Sequence, residues 1–198
     1  MFVQLIEAKV SDTEGFRRLM QRWTEELRPG AKGFLGSTGG VAEDGRAVLA
    51  ARFESPEAAQ ANSDRSEQGE WWAEMEKCLE GNVSFNESTD VELFPGGDLD
   101  SAGFVQVMKY PSADREQLRK FDEMFERVGQ DFRPDVLGGY RIWTGADSCV
   151  ELMYFTSEAE AREGEKKPPP PELASAMGDF ESLMANVEFI DLKQPEII

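Results

Sequence analysis

Phe2-Val3-Gln4-Leu5-Ile6 is the stretch that decides the fold, because it returns 102 positions later as Phe104-Val105-Gln106-Val107-Met108. In both copies the pattern of an amphipathic helix follows. The dipeptide Arg-Pro comes after it, at Arg28-Pro29 and at Arg133-Pro134. Self-similarity at a spacing of about 100 residues indicates a duplicated structural unit. The sequence therefore predicts two similar halves, each long enough to bury its own core.

The charge of the chain excludes several kinds of partner. It carries 39 acidic and 21 basic side chains in 198 residues, which gives a formal net charge of -18. Such a charge repels phosphate backbones and anionic lipid surfaces. No apolar run approaches the roughly 20 residues of a membrane span, and no signal-peptide pattern precedes the first strand. We therefore expect a cytoplasmic protein without a nucleic-acid or membrane partner.

The chain contains no histidine, which removes several kinds of chemistry. Histidine-ligated haem, the usual zinc and non-haem iron sites, and Ser-His-Asp or Cys-His catalysis all need that side chain. Cys78 and Cys149 have no spacing typical of a metal or redox motif, so we predict inert, reduced thiols. We expect no metal and no cofactor, and any reaction must use carboxylates, amides, arginines, aromatic rings or the substrate itself.

Alternation of side chains over residues 2–8 predicts a strand with Val3 and Leu5 on one face and Phe2, Gln4 and Ile6 on the other. The first copy continues with a helix whose apolar stripe includes Trp23, strands 33–40 and 46–53, helical pieces 56–62 and 69–80, and a fourth strand, Val91 to Phe94. The second copy repeats the order with strand 103–109, helix 112–129, and strands 138–144 and 148–155. Its second helix begins at Ser157, breaks at Pro168 to Pro171, and resumes through Leu173, Met177, Phe180 and Met184. Strand 186–192 follows. The predicted halves are residues 1–95 and 103–198, joined by the linker 96–102.

Two βαββαβ units predict an α+β fold of two tandem ferredoxin-like repeats, each with both helices on one face of an antiparallel sheet. The two uncovered faces can be buried by facing each other, which forms an α+β barrel within one chain. We expect this barrel to enclose Phe2, Gln4 and Ile6 together with their counterparts Phe104, Gln106 and Met108. Each buried glutamine then needs a hydrogen-bond partner. A barrel completed by one chain predicts a monomer or a weak homodimer.

The chain resembles the dimeric α+β barrel superfamily, and within it the antibiotic-biosynthesis monooxygenase-like domains, here fused as two copies. The resemblance rests on the topology, the Phe-Val-Gln first strand and the helix entries Phe53-Glu54-Ser55 and Phe155-Thr156-Ser157. That family includes cofactor-independent oxygenases of electron-rich aromatic polyketides, haem-degrading enzymes, and many domains with no known reaction. It implies a small aromatic substrate and no cofactor. The haem-degrading branch needs a histidine ligand, which this chain lacks.

In the family's oxygenases an asparagine and a tryptophan near the second helix are associated with the substrate pocket. The residues of these types in that region are Asn62, Trp71 and Trp72. At the repeat spacing Trp71 aligns with Leu173 on an apolar stripe, whereas Trp72 aligns with Ala174 and lies off the stripe. The resemblance thus implies catalytic roles for Asn62 and Trp72. The alternative is that Trp72 packs on the other half or covers a loop.

Further candidates for substrate contact are Gln4, Gln106, Phe2, Phe104 and Arg65. Asn62 aligns with Gly164 and Arg65 with Lys167, a divergence expected if only one of two formerly equivalent pockets still binds a ligand. The glutamines could instead pair with each other or with buried water. The strand arginines Arg52 and Arg141 could hold an acidic substrate, but we expect them in exposed salt bridges.

Two functions from different classes follow. The first is a cofactor-independent monooxygenase-like enzyme, in which an aromatic substrate of polyketide or quinol type is its own reductant in an apolar cavity. The second is a non-catalytic binding or stress-response barrel that sequesters a small aromatic or lipid-like molecule. Both share the same pocket and differ in turnover.

Overall fold

The computed structural model describes residues 1–94, 96–171, 173 and 184–198, without the side chains of residues 129 and 130. The chain divides into two compact units, the first formed by Met1–Asp90 with Pro195–Ile198 and the second by Val91–Gln194. Each unit contains a five-stranded antiparallel sheet with helices. The predicted pair of tandem ferredoxin-like α+β repeats is confirmed.

The first unit follows the predicted order of strands and helices. Its elements are β1 (Phe2–Val10), α1 (Thr13–Arg22), β2 (Phe34–Val41), β3 (Arg46–Phe53), α2 (Pro56–Ser63), α3 (Ser66–Met75) and β4 (Leu79–Ser88). Asp12 caps α1 by accepting a hydrogen bond from the Gly15 amide, and Ser55 caps α2, with Pro56 in its first turn. Such caps satisfy amides that have no partner within the helix.

The second unit repeats this order and also holds one extra strand at its start. Its elements are β5 (Val91–Phe94), β6 (Phe104–Tyr110), α4 (Arg115–Phe132), β7 (Val136–Trp143), β8 (Cys149–Phe155), α5 (Glu158–Glu165) and β9 (Glu188–Leu192). A final strand, β10 (Glu196–Ile197), returns to the first unit. The predicted resumption of the second helix through Met177 and Phe180, like Ala174, lies outside the described residues.

The last strand of each sequence repeat pairs with the sheet of the other unit: β5 joins the second sheet and β10 joins the first. The first sheet has the order β10-β2-β3-β1-β4 and the second has β5-β7-β8-β6-β9. The prediction that Val91–Phe94 closes the first sheet is wrong, because β5 pairs with β7 and Glu92 lies opposite Arg141. Leu79–Ser88 takes that place instead, with Phe85 opposite Ile6. Its polar sequence gave no strand signal, and the predicted helix 69–80 ended too late.

The helices of the first unit cover the face of the sheet that carries Phe2, Gln4 and Ile6. Phe2 packs against Phe53 and Ala59 of α2. The prediction that these side chains are enclosed between two sheets is therefore wrong, and the same holds for the second unit, where Phe104 packs against Ala161 of α5. Alternation along a strand separates two faces but does not say which face the helices cover. The mutual facing of the two sheets stays a prediction.

The helix-covered core forms as the apolar stripe predicts. Phe16, Leu19, Met20, Trp23 and Leu27 are all buried in one cluster with Trp71 and Met75 of α3. The break predicted in the second helix of the first copy is confirmed, since α2 ends at Ser63 and α3 begins at Ser66. Residues on both sides of this break, Asn62 and Ser63 before it and Gln68 and Gly69 after it, line a cavity. Within the described part of the chain, no helix combines the length and apolarity that crossing a membrane requires.

Candidate functional site

A cavity of about 250 Å³ lies between the sheet and the helices of the first unit. Strand residues on its floor include Gln4 and Ile6, and helix residues on its roof include Asn62 and Gln68. Six of its sixteen lining residues are aromatic, namely Trp23, Phe34, Phe53, Trp71, Trp72 and Phe85. An apolar hollow with a few polar groups is typical of small-molecule sites.

Two tryptophans fix α3 against α1 and against the helical segment Trp23–Leu27 that follows α1, and so set the shape of this cavity. The indole of Trp71 donates to the carbonyl of Leu19 at 2.8 Å, and the indole of Trp23 donates to Oε1 of Gln68 at 2.7 Å. Both rings are buried, in agreement with the prediction that Trp23 and Trp71 belong to the core. They also line the cavity, which the stripe alone does not indicate.

Trp72 lies off the buried stripe of α3 and is half-buried at the cavity. Its indole donates to Oε1 of Glu76 at 3.1 Å, and its ring centroid is 5.5 Å from that of Phe85 on β4. The ring therefore has its polar edge directed to a surface carboxylate and its apolar part against another aromatic ring. Such an arrangement is suited to stacking a flat ligand.

Asn62 is 7 % exposed and presents a fixed amide to the cavity. Its Oδ1 accepts a hydrogen bond from Nη1 of Arg65 at 2.9 Å. A guanidinium can only donate, so the oxygen of the amide must face Arg65. The Nδ2 group is then the part of the amide that a ligand can use, as a donor.

The two glutamines of the cavity are oriented by the same logic. The indole of Trp23 can only donate, so Gln68 turns its Oε1 to Trp23 and keeps Nε2 as a donor. Gln4 donates from Nε2 to Oε1 of Glu87 at 3.0 Å, which leaves its own Oε1 as an acceptor. The cavity thus offers two amide donors and one amide acceptor at defined positions.

The lining of this cavity, as far as the structure describes it, contains no carboxylate, lysine, arginine or thiol. A ligand there meets hydrogen-bonding amides and hydroxyls in an aromatic enclosure. An ion would lose its hydration without gaining a counter-charge, which is costly. The cavity is therefore suited to an uncharged molecule with polar oxygens.

The structure brings together some of the predicted site residues and separates others. Asn62, Trp72 and Gln4 line one cavity. Arg65 does not line it and instead holds Asn62, the Leu27 carbonyl and Glu67. Phe2 is buried against α2 and borders a neighbouring surface hollow with Gln4.

The remaining two predicted contacts, Gln106 and Phe104, belong to the second unit. Gln106 donates from Nε2 to Oδ1 of Asp191 at 3.0 Å, so this buried glutamine has the hydrogen-bond partner that its burial requires. The Phe104 ring is fully buried, with the guanidinium of Arg162 located 5.2 Å from its centroid. No group of three or more histidine, cysteine, aspartate or glutamate residues within the described segments has the arrangement of a metal site.

A second cavity of about 350 Å³ lies in the second unit, and its polar groups are charged. Arg141 is 2 % exposed and donates to Glu151 at 2.6 Å, to Asp122 at 2.8 Å and to Glu92 at 2.7 Å. Tyr110 donates to the other oxygen of Glu151 at 3.2 Å. The expectation of an exposed salt bridge for Arg141 is wrong, since it forms a buried ion network.

Burial changes the acid–base properties of this network. It raises the pKa of Glu151 above its ordinary value, against the opposing effect of Arg141. It also raises the pKa of Asp122, with Glu92 and Glu126 adding repulsion. Sequence reasoning missed Asp122 and Glu151. The repeat spacing could have found them, because it aligns these charged residues with Met20 and Leu49.

Comparison with known proteins shows the fold. A protein of Fusobacterium nucleatum named as a candidate monooxygenase matches 99 % of this chain and 93 % of its own, with a TM-score of 0.76 and 11 % identity. A candidate monooxygenase of Lactobacillus acidophilus matches 100 % and 98 % of the two chains, with a TM-score of 0.69 and 10 % identity. A protein named anthrone oxidase-like matches 99 % and 92 %, with a TM-score of 0.66 and 9 % identity.

These neighbours span the whole chain, so its fold is the tandem monooxygenase-like α+β fold. No family model matches the sequence, and no curated protein is similar to it at a significant level. At such low identity the likeness concerns the backbone alone. Function must be argued from the side chains of the cavities.

Proposed function

We propose that the cavity of the first unit binds a small, uncharged aromatic compound with a carbonyl or phenolic oxygen, and that the chain oxidises it with O₂ without a cofactor. The observation that carries this proposal is the pair of amide donors on Asn62 and Gln68, each locked by a protein partner on its oxygen side. Locked donors need no reorganisation when charge develops on a substrate oxygen.

The size and walls of the cavity support the ligand class. A volume of about 250 Å³ lies below the roughly 300–1,000 Å³ of pockets for drug-sized ligands, which favours a compact ring system. Trp72 and Phe85 offer adjacent aromatic surfaces for stacking. Gln4 offers an acceptor for a hydroxyl hydrogen.

The proposed reaction is the oxidation of an activated CH₂ group that lies between aryl rings and opposite a carbonyl. Loss of one C–H proton gives an enolate, whose negative charge rests on the former carbonyl oxygen. Donation from Asn62 and Gln68 stabilises that oxygen. O₂ takes the electrons, one oxygen atom becomes the new carbonyl, and the other leaves as water, so that R₂CH₂ and O₂ give R₂C=O and H₂O.

The same cavity also gives a reason to consider binding without turnover. Its described lining contains no carboxylate, lysine, arginine or thiol, so the substrate proton must leave to water. A general base normally contributes a large factor to such a step. A sequestering protein with this pocket is therefore the second candidate function.

Oxygen uptake with anthrone as the substrate tests the proposal, a choice suggested by the name of one full-length structural neighbour. We expect uptake above the buffer rate and release of anthraquinone in equal amounts. Asn62→Ala should lower turnover more than binding, because its donor acts on the developing charge. Asn82→Ala, which changes an exposed asparagine on β4, is the matched control and should leave both unchanged.

Two results distinguish the candidates. Saturable binding of anthrone and anthraquinone without oxygen uptake would reject the oxygenase and support sequestration. Failure of both compounds to bind, or equal effects of Asn62→Ala and Asn82→Ala, would reject this cavity as the ligand site.

A further inference from the structure

The cavities of the two units occupy equivalent places in the two repeats. Counted at the spacing of 102 residues, Ile6 and Met108 correspond, as do Ala51 and Met153. Ile6 and Ala51 line the first cavity, and Met108 and Met153 line the second. The two spaces are thus copies of one original feature of the fold, and the differences in their side chains report how they diverged.

Three equivalent positions differ in chemical type. The correspondences are Met20 with Asp122, Gly39 with Arg141, and Leu49 with Glu151. The strand register supports them, because Gly39 lies opposite Leu49 and Arg141 lies opposite Glu151. An arginine and two carboxylates in the second unit therefore occupy positions that are apolar or glycine in the first.

The fold does not need these charges. In the first unit the same positions are filled without any ionised group, and the repeat still forms a buried core. Burying an ion network costs desolvation, and well-packed apolar residues are often as stabilising or more so. Arg141 and Glu151 are nevertheless 2 % and 4 % exposed. A costly substitution at the wall of a cavity points to a use for the cavity.

The balance of charge at the second cavity is negative. One guanidinium, that of Arg141, faces the carboxylates of Glu92, Asp122 and Glu151. Glu126 adds a further carboxylate at the exposed rim and repels Asp122. The other arginine of the lining, Arg133, is paired with Asp135 at 2.8 Å.

The remaining wall of this cavity is apolar and aromatic, with Phe94, Phe121, Phe125, Met108 and Met153. The Phe121 and Phe125 rings are stacked with their centroids 6.1 Å apart. Aromatic faces attract cations, and carboxylates beside them add to that attraction. An anionic ligand would meet repulsion here.

We propose that the cavity of the second unit is a separate binding site for a molecule that joins an aromatic body to a protonated amine. The amine pairs with Asp122 and Glu126, and the aromatic body packs against Phe121 and Phe125. This site is independent of the oxidation proposed for the first unit, and its ligand differs in charge from the ligand proposed there.

Calorimetric titration of the full chain with two matched probes tests this site. The probes are 2-naphthylmethylamine, which is protonated at neutral pH, and 2-naphthalenemethanol, which has the same ring and no charge. We expect the amine to bind about tenfold more tightly, the ratio that one additional ion pair in a partly buried site gives. Equal affinities would overturn the proposal.

Glu126→Gln removes a rim carboxylate that the buried network does not use, so the variant should fold. It should weaken amine binding several-fold and leave the alcohol unaffected. Glu123→Gln is the control, since Glu123 lies on the same helix and pairs with Arg119 on the exposed side. An equal loss in both variants would overturn the site, because it would reflect overall charge. Amine binding that is lost on Trp72→Ala and kept in Glu126→Gln would also overturn it, by placing the amine in the first cavity.

Discussion

Arg65 holds the side chain of Asn62 in one orientation without touching the cavity that Asn62 lines. Its Nη1 donates to Asn62 Oδ1 at 2.9 Å and also to the Leu27 carbonyl at 3.0 Å. One cation thereby connects the break between α2 and α3 to Leu27, the last residue of the helical segment Trp23–Leu27 that follows α1. The polar end of the first cavity depends on a residue located behind its wall.

Replacement of Arg65 by methionine should therefore affect both stability and binding. Loss of charged hydrogen bonds to two partly buried acceptors should lower the free energy of unfolding by about 1–3 kcal/mol. Anthrone affinity should also fall, because the Asn62 amide is free to turn. Urea unfolding and fluorescence titration measure the two effects. Lys167→Met, at the equivalent exposed position of the second repeat, is the control and should change neither.

Trp72→Ala should lower the affinity for anthrone by about 1–3 kcal/mol, as expected for the loss of an aromatic contact surface. Phe85→Ala should act in the same direction, because its ring lies against Trp72. Phe189→Ala is the matched control. Phe189 lies opposite Met108 in the second sheet, as Phe85 lies opposite Ile6 in the first. If Trp72→Phe keeps full affinity and only lowers the melting temperature, Trp72 is a packing residue.

Removal of one member of the buried ion network should destabilise the second unit strongly. Glu151→Leu leaves Arg141 and Tyr110 without their buried acceptor, so the free energy of unfolding should fall by about 3–5 kcal/mol. The double change Arg141→Met with Glu151→Leu should cost less than Glu151→Leu alone, because the buried guanidinium leaves together with its buried partner, and the carboxylates that remain, Asp122 and Glu92, are more exposed than Glu151. Chemical denaturation of the wild type, of the single variants Glu151→Leu and Arg141→Met, and of the double variant measures the coupling. Additive losses would show that the two side chains act independently.

The buried thiol of Cys149 predicts a sensitivity to alkaline conditions. Burial raises its pKa to about 12 from an ordinary value of 9.0, with Glu151 adding to the effect. Between these values the unfolded chain has lost a proton that the folded chain keeps, so the free energy of unfolding falls as the pH rises above 9. Burial also raises the pKa of Tyr110, which acts in the same direction.

Urea unfolding at pH 7.5, 9 and 10.5 measures this slope, and Cys149→Ala should make it shallower. Native Cys149 should also resist alkylation at pH 8, where denatured protein reacts. A thiol that reacts at the same rate in both states would contradict the burial described for it.

Local sequence predicted much of the fold because the apolar stripes and strand alternation agree with the final packing. The stripe through Phe16 and Trp23 is buried, and the break after Ser63 is present. The strand β4 escaped prediction because its residues are mostly polar and it is held by pairing with β1. Pairing of that kind depends on contacts about 80 residues away, which no local pattern contains.

The residues of the candidate site were also only partly predictable from local sequence. Asn62, Trp72 and Gln4 come together because α2 and α3 cover the face of the sheet that carries Gln4. Arg65 was predicted as a ligand contact, but its long side chain donates a hydrogen bond to the neighbouring Asn62 instead. No local pattern distinguishes Asp122 and Glu151 from the many other acidic residues of this chain. Their proximity to Arg141 depends on strand register and on the face of α4 that meets the sheet.

The exchange of β5 and β10 means that the segment repeated in the sequence does not contain all the strands of one sheet. A chain cut between the repeats would carry one edge strand without a partner sheet and would lack the strand that covers its own β2 or β7. Exposed edges of that kind recruit other chains and promote aggregation. Recombination could therefore duplicate this domain more easily than it could later delete either copy, because each copy completes the other.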